Sequence, residues 1–116
     1  MLILYGIANC DTIRKTRAWL EKRAIAYQFH DYRIQGSQES LIRKFVEQFN
    51  YSDLINTRGS TWRSLPENQR NMLDFDSAVS LMSKYPALIK RPLLKSGDAW
   101  LLGYDESRLR DFSVGN

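Results

Sequence analysis

The hydrophobic pattern at the start of the chain predicts a buried strand followed by a helix. Residues 2–5 form a short apolar run of strand-favouring types, which stops at Gly6. After a short connection, Asp11 and Thr12 are suitable N-cap residues, and apolar side chains then recur at roughly helical spacing, at Ile13, Leu20 and Ala24. We therefore predict a helix over residues 11–24.

A second strand follows this helix. Residues 27–32 are rich in aromatic side chains and alternate in the manner of a strand. Because a strand–helix–strand crossover joins parallel strands, the first two strands are expected to pair in parallel. The chain thus opens as a βαβ unit.

The middle of the chain keeps a helical pattern. Apolar residues between positions 41 and 49 follow i, i+4 spacing, and Pro66 falls where a helix can begin. A further apolar helical face follows at Ala78, Leu81 and Met82. We predict a helical insertion over about residues 37–88.

The period changes again at Pro92. Two apolar segments, residues 93–94 and 99–102, flank a turn sequence at residues 95–98, which predicts a β-hairpin. A closing helix is expected from about Asp105 to Phe112. The order is β, α, β, a helical insert, then β, β, α, and we interpret residues 1–116 as one α/β domain.

Composition favours one compact domain, and the single cysteine together with the absence of an export signal favours the cytoplasm. The chain has 116 residues, 43% of them hydrophobic, which suits a single core. Although the net charge is +4, basic residues alternate with acidic ones, so nucleic acid is not the expected partner. Neither a signal peptide nor a membrane span is expected, and the single cysteine cannot form an internal disulfide.

Cys10 is the candidate reactive residue. It lies between the first predicted strand and the first helix, where backbone N–H groups favour a thiolate. Arg14, Lys15 and Arg17 are expected to lower the pKa of the thiol further and to favour an anionic substrate. Composition alone favours an inert buried cysteine, but this edge of the sheet is where open α/β proteins bind ligands.

Spacing tests other chemistries of a cysteine. A dithiol motif needs a second cysteine where Ile13 stands, so a redox cycle requires an external thiol. A phosphatase-like loop needs arginine where Thr16 stands. His30 could serve as a base, although a hydrogen-bonded or solvated strand residue is the favoured interpretation, and one cysteine with one histidine makes no metal site.

Four segments carry a resemblance to a known family. They are residues 5–12 (YGIANCDT), 29–32 (FHDY), 58–63 (RGSTWR) and 89–92 (IKRP). Together they resemble the arsenate reductase (ArsC) family, specifically its YffB-like branch, which neighbours the Spx and MgsR regulators. The resemblance covers essentially the whole chain and implies a thioredoxin-like fold with a mixed four-stranded sheet and a helical insertion.

The resemblance also implies a site. Cys10 matches the family's nucleophile, and Arg91 and Pro92 match its oxyanion-binding arginine and its cis-proline. The residues that the resemblance and the local charge suggest for binding substrate or glutathione are Asp11, Thr12, Arg14, Lys15, Arg58, Arg91 and Pro92. No metal ligand is expected.

The chain departs from the arsenate reductases of the family at three positions. Asn56 stands where a second oxyanion-binding arginine is expected, with Arg58 two positions on, and about Gly103 stands in place of the third. Gly6 replaces the histidine that precedes the cysteine.

These features lead to three functional hypotheses. The first is a thiol-disulfide oxidoreductase that uses Cys10, no tightly bound cofactor and glutathione as co-substrate, with glutaredoxin as a further partner. The second is arsenate reduction by the same nucleophile, linked to glutathione or glutaredoxin. The third is a regulator that resembles Spx and binds RNA polymerase, which the absence of a paired-cysteine switch disfavours.

Overall fold

The computed structural model describes residues 1–114, and they form two compact units. The first comprises Met1–Gly36 and the part of the chain that begins at Arg91, and the second comprises Ser37–Lys90. The interpretation of residues 1–116 as one domain stays a prediction, and its last two residues lie outside the described part of the chain.

The first unit is built on a four-stranded sheet. Its strands are β1 (Leu2–Gly6), β2 (Tyr27–Asp31), β3 (Leu93–Ser96) and β4 (Ala99–Leu102), in the order β2-β1-β3-β4. Strand β1 pairs in parallel with β2 and antiparallel with β3, and β3 and β4 form the predicted hairpin. The thioredoxin-like fold with a mixed four-stranded sheet is thus confirmed.

Three helices accompany this sheet: α1 (Asp11–Lys22), α2 (Tyr32–Gln35) and α8 (Glu106–Val114). Helices α1 and α8 share one hydrophobic core with one face of the sheet, formed by Leu2, Leu4, Ile13, Trp19, Leu20, Leu94, Leu101 and Leu109. Cys10 packs against the edge of this core and is only partly buried. The core therefore fixes the start of α1, and the cysteine with it, against the sheet.

The second unit is helical. It contains α3 (Glu39–Gln48), α4 (Tyr51–Leu54), α5 (Ser60–Ser64), α6 (Glu67–Asn71), α7 (Phe75–Lys84) and a 3-10 helix, Pro86–Leu88. Its buried side chains include Ile42, Phe45, Leu54, Val79, Met82 and Leu88. None of the helices in residues 1–114 is long and apolar enough to cross a membrane.

The second strand ends one residue earlier than predicted. Tyr32 begins α2, because the buried carboxylate of Asp31 accepts a hydrogen bond at 2.9 Å from the backbone N–H of Arg33 and caps the new helix. The aromatic alternation of residues 27–32 continues through Tyr32, so it does not indicate that the strand ends at Asp31.

Helix α1 also ends before the predicted residue. Ala24, predicted to lie on the apolar face, is exposed and has a φ of +55°. The N–H of Ala24 donates to the carbonyl of Glu21 (3.1 Å) and that of Ile25 to the carbonyl of Leu20 (3.0 Å). This is a Schellman ending with alanine in the left-handed position that glycine usually occupies.

The substitution Ala24→Gly is expected to stabilise the protein. Alanine in the left-handed region costs about 1–2 kcal/mol, and the greater freedom of glycine in the unfolded chain offsets part of the relief, which leaves a gain of about 0.5–1 kcal/mol. Urea denaturation measures the change. The matched control is Ala18→Gly, also exposed but inside α1, which should lose about 1 kcal/mol; equal losses in both variants would contradict the account.

Candidate functional site

Cys10 occupies the N-cap position of α1. Its backbone is extended, with φ −102° and ψ 135°, and its carbonyl accepts the first helical hydrogen bond, from the N–H of Arg14 at 3.0 Å. Asp11 and Thr12, predicted as caps, are instead the first two residues of the helix. The sulfur thus takes the place of a capping side chain, near backbone N–H groups that the helix leaves without carbonyl partners.

Gly6 allows the strand to pass close beneath this helix turn. A Cβ atom at Gly6 would collide with the side chain of Ile13, which is fully buried, and would lie 3.9 Å from Cδ of Arg91. This packing leaves no room for the histidine that the resemblance implies at this position. Any side chain that stabilises a Cys10 thiolate must therefore lie at another position.

Arg91, which is 81 positions from Cys10 along the chain, contacts its sulfur. The Arg91–Pro92 peptide bond is cis, as the sequence suggested, and Pro92 is buried directly before β3. Pairing of Tyr5 with Leu93 across β1 and β3 brings this segment beside the connection that carries Cys10. Nε of Arg91 donates a hydrogen bond to Sγ of Cys10 at 3.3 Å.

Thr12 is the second side chain in contact with the sulfur. Its Oγ1 lies 3.1 Å from Sγ of Cys10 and 3.3 Å from the carbonyl oxygen of Arg91. Of the predicted site residues, Cys10, Thr12, Arg91 and Pro92 are brought together. The sequence indicated Thr12 only as a cap and as a possible ligand of substrate, and gave no signal of its contact with Arg91.

The pKa of the Cys10 thiol is lowered from its ordinary value. Partial burial opposes the charge and raises the pKa, but it is outweighed by the hydroxyl of Thr12, the backbone N–H of Ile13, and the hydrogen bond and positive charge of Arg91. This direction agrees with the thiolate expected at the start of the helix, since the N–H of Ile13 belongs to the first turn of α1.

The basic residues of α1 lie in other surroundings. Arg14 binds the carboxylate of Asp11 at 2.8 Å, and both side chains are largely exposed. The guanidinium of Arg17 stacks 4.5 Å from the ring centroid of Phe29, and Lys15 lines an open groove beside Trp19. The effect of these three cations on the pKa of the thiol stays a prediction.

Arg58 lies in the second unit, in the turn before α5. Its backbone N–H donates to Oδ1 of Asn56 at 3.1 Å. Its predicted role in binding glutathione stays a prediction, as do those of Asp11, Arg14 and Lys15.

His30 is a hydrogen-bonded strand residue, the favoured one of its two interpretations. Its Nε2 lies 2.8 Å from the carbonyl oxygen of Gly36, and its ring lies between those of Tyr5 and Tyr32, with centroids 5.2 and 5.7 Å away. The hydroxyl of Tyr32 is buried without a hydrogen-bond partner in the described part of the chain, and burial raises the pKa of this group. Among residues 1–114, no three His, Cys, Asp or Glu side chains are grouped to hold a metal ion.

Comparison with known proteins finds a matching family and similar sequences along nearly the whole chain. The ArsC family model matches residues 5–112. An uncharacterized protein of Haemophilus influenzae is 39% identical over 106 residues, which cover 91% of this chain and 93% of that protein. The Spx global transcriptional regulator of Streptococcus agalactiae is 29% identical over 115 residues, covering 97% of this chain and 82% of the regulator.

Two solved structures are similar over nearly their whole length. A protein named YFFB has a TM-score of 0.91 and 34% identity, with 97% of this chain and 99% of that chain covered. An arsenate reductase (ArsC) related protein from Brucella melitensis has a TM-score of 0.78 and 36% identity, with 96% and 92% covered.

Proposed function

Because the chain belongs to the ArsC family, we propose that it is a thiol-dependent reductase with Cys10 as nucleophile and glutathione as co-substrate. The observation that carries the proposal is the guanidinium of Arg91 on the sulfur, with Nε 3.3 Å from Sγ. A lowered pKa leaves more of the sulfur as thiolate at neutral pH, and the thiolate is the form that attacks a disulfide.

The proposed cycle has two exchange steps. The Cys10 thiolate attacks one sulfur of a substrate disulfide, forms a mixed disulfide with it and expels the other sulfur as a thiolate. The thiolate of glutathione then attacks the substrate sulfur of the mixed disulfide. A disulfide forms between glutathione and that sulfur, and Cys10 leaves as a thiolate. Cys10 is the only cysteine of the chain, so the second thiol must come from outside.

The position of Arg91 beside the sulfur favours glutathione as the external thiol. Glutathione carries two carboxylates, and a planar guanidinium binds a carboxylate through charge-assisted hydrogen bonds. The guanidinium of Arg91, whose Nε donates to the sulfur, is proposed to orient the anionic partner beside the reacting atom.

A coupled assay tests the proposal. The protein is supplied with reduced glutathione and a low-molecular-weight glutathione mixed disulfide, and formation of oxidised glutathione is followed through glutathione reductase. We expect turnover that saturates with both substrates, and a parallel series with added glutaredoxin shows whether that partner resolves the mixed disulfide faster. Rates equal to those of buffer at every glutathione concentration, with and without glutaredoxin, would refute the proposal.

Arsenate is the alternative substrate of the same site. The similarity to an arsenate reductase (ArsC) related protein favours it, whereas the resemblance places Asn56, and about Gly103, where two oxyanion-binding arginines are expected, which argues against a small oxyanion. Replacing the disulfide with arsenate in the coupled assay separates the two. Arsenate turnover that exceeds disulfide turnover would reassign the substrate.

The Spx relatives favour a second candidate function, that of a transcriptional regulator. Their similarity extends over 97% of this chain. A regulator of this type is proposed to bind RNA polymerase, and affinity capture with the purified chain tests it. Recovery of polymerase subunits that survives the Cys10→Ser substitution would support this function over the reductase.

A further inference from the structure

The hydroxyl of Thr12 lies between the sulfur of Cys10 and the carbonyl oxygen of Arg91, which differ in their capacity to donate a hydrogen bond. Its Oγ1 is 3.1 Å from Sγ of Cys10 and 3.3 Å from the carbonyl oxygen of Arg91. A hydroxyl has one proton to donate but can accept from other donors. The carbonyl only accepts, whereas the sulfur donates as a thiol and only accepts as a thiolate, so both contacts can be hydrogen bonds only while Cys10 is protonated.

We infer that the Thr12 hydroxyl is a charge-dependent switch for the nucleophile. When Cys10 is a thiol, its S–H donates to Thr12 Oγ1, and the Thr12 O–H donates to the carbonyl of Arg91. When the sulfur loses its proton to water, the Thr12 O–H rotates away from the carbonyl and donates to the thiolate. Each state thereby has its own hydrogen-bond pattern without any movement of the backbone.

The first turn of α1 holds Thr12 in place for this exchange. The backbone carbonyl of Thr12 accepts a short hydrogen bond, 2.6 Å, from the hydroxyl of Thr16, which is fully buried. Thr12 is therefore fixed at its backbone, while rotation about a single C–O bond moves the proton of its hydroxyl.

The charged groups near the sulfur do not exchange hydrogen bonds when Cys10 changes its charge, whereas the Thr12 hydroxyl can. Arg91 donates from Nε and keeps its charge in both states of Cys10, so it favours the thiolate without changing direction. Asp11 and Arg14, on the same turn, neutralise each other at 2.8 Å on the exposed side. Tyr104, which packs against the same hydrophobic core, directs its hydroxyl to Glu106 at 3.0 Å.

In the proposed function, on which this consequence rests, the switch acts twice in each cycle. Attack on a disulfide removes the negative charge from Cys10, and the Thr12 hydroxyl can return to the carbonyl of Arg91. When glutathione restores the thiolate, the hydroxyl turns back and stabilises Cys10 as the leaving group. Thr12 is thus a catalytic residue in contact with the reacting sulfur.

The test compares Thr12→Val with Thr12→Ser by the rate of alkylation of Cys10 by iodoacetamide as a function of pH. Valine keeps the shape of threonine but loses the donor, so the thiolate is less populated below the pKa and more nucleophilic above it. We expect Thr12→Val to react about threefold more slowly than the natural protein at low pH and about threefold faster on the high-pH plateau. Thr12→Ser should follow the natural profile.

The crossing of the two profiles separates the switch from a structural defect. A Thr12→Val profile that coincides with the natural one, or lies below it by one constant factor at every pH, would overturn the inference. If Thr12→Val does not fold, as judged by circular dichroism, Thr12→Ala is measured in the same way. Alkylation requires neither glutathione nor a substrate, so a failed reductase assay leaves this test intact.

Discussion

Serine in place of Cys10 is expected to abolish glutathione-dependent turnover. A serine hydroxyl stays protonated at neutral pH and cannot form a disulfide, so the rate should fall at least about a thousandfold, to that of the uncatalysed reaction. The coupled assay with the mixed disulfide measures the loss, and mass spectrometry after incubation with oxidised glutathione should show no adduct on the variant.

The fold should survive this substitution. Cys10 is the N-cap residue of α1, and serine is among the favoured residues there, so Cys10→Ser should keep or slightly raise stability, by up to about 1 kcal/mol. Thermal unfolding provides this control. Activity that persists in a folded Cys10→Ser protein would show that the chemistry lies at another residue.

Removal of the guanidinium at Arg91 is expected to have the next largest effect. Arg91→Met loses a charge-assisted hydrogen bond to the sulfur, 3.3 Å long, and the proposed contact with the glutathione carboxylate. Since such a bond contributes about 1.5–3 kcal/mol, turnover at neutral pH should fall by about 10- to 100-fold. Arg91→Lys, which keeps the charge without the planar fork, should be intermediate.

The pH dependence gives the sign of the Arg91 effect. Arg91 lowers the pKa of Cys10, so its loss should raise that pKa and move the acidic limb of the rate profile to higher pH. Part of the lost activity should therefore return as the pH increases. The matched control is Arg110→Met, an exposed arginine on α8; an equal loss in both variants would attribute the effect to net charge alone.

The position of Cys10 between a strand and a helix could be predicted because its signals are local. The apolar run of β1 stops at Gly6, and polar helix-starting residues follow Cys10 within two positions, so the strand-to-helix connection is readable from adjacent residues. The hairpin is equally local: Gly97, with a φ of +59°, lies in the turn between β3 and β4. Elements defined by neighbouring residues are those that periodicity and turn chemistry can find.

The side-chain contacts of the sulfur could not be predicted in this way. Arg91 is 81 positions from Cys10 along the chain, and the antiparallel register of β1 and β3 brings the two together. The resemblance pointed to Arg91, but not to its Nε or to Thr12 as a bridge. A helix directs successive side chains about 100° apart, so nearness to Cys10 in sequence did not show that Arg14 binds Asp11, three positions away.

The pH dependence of Cys10 alkylation in the natural protein shows whether Cys10 is a reactive thiol. We expect an inflection below the value of about 8.5 for a free thiol, together with a single glutathione adduct after incubation with oxidised glutathione. An inflection at or above the free value, with no adduct by mass spectrometry, would show that Cys10 is an inert thiol and not the nucleophile of a reductase.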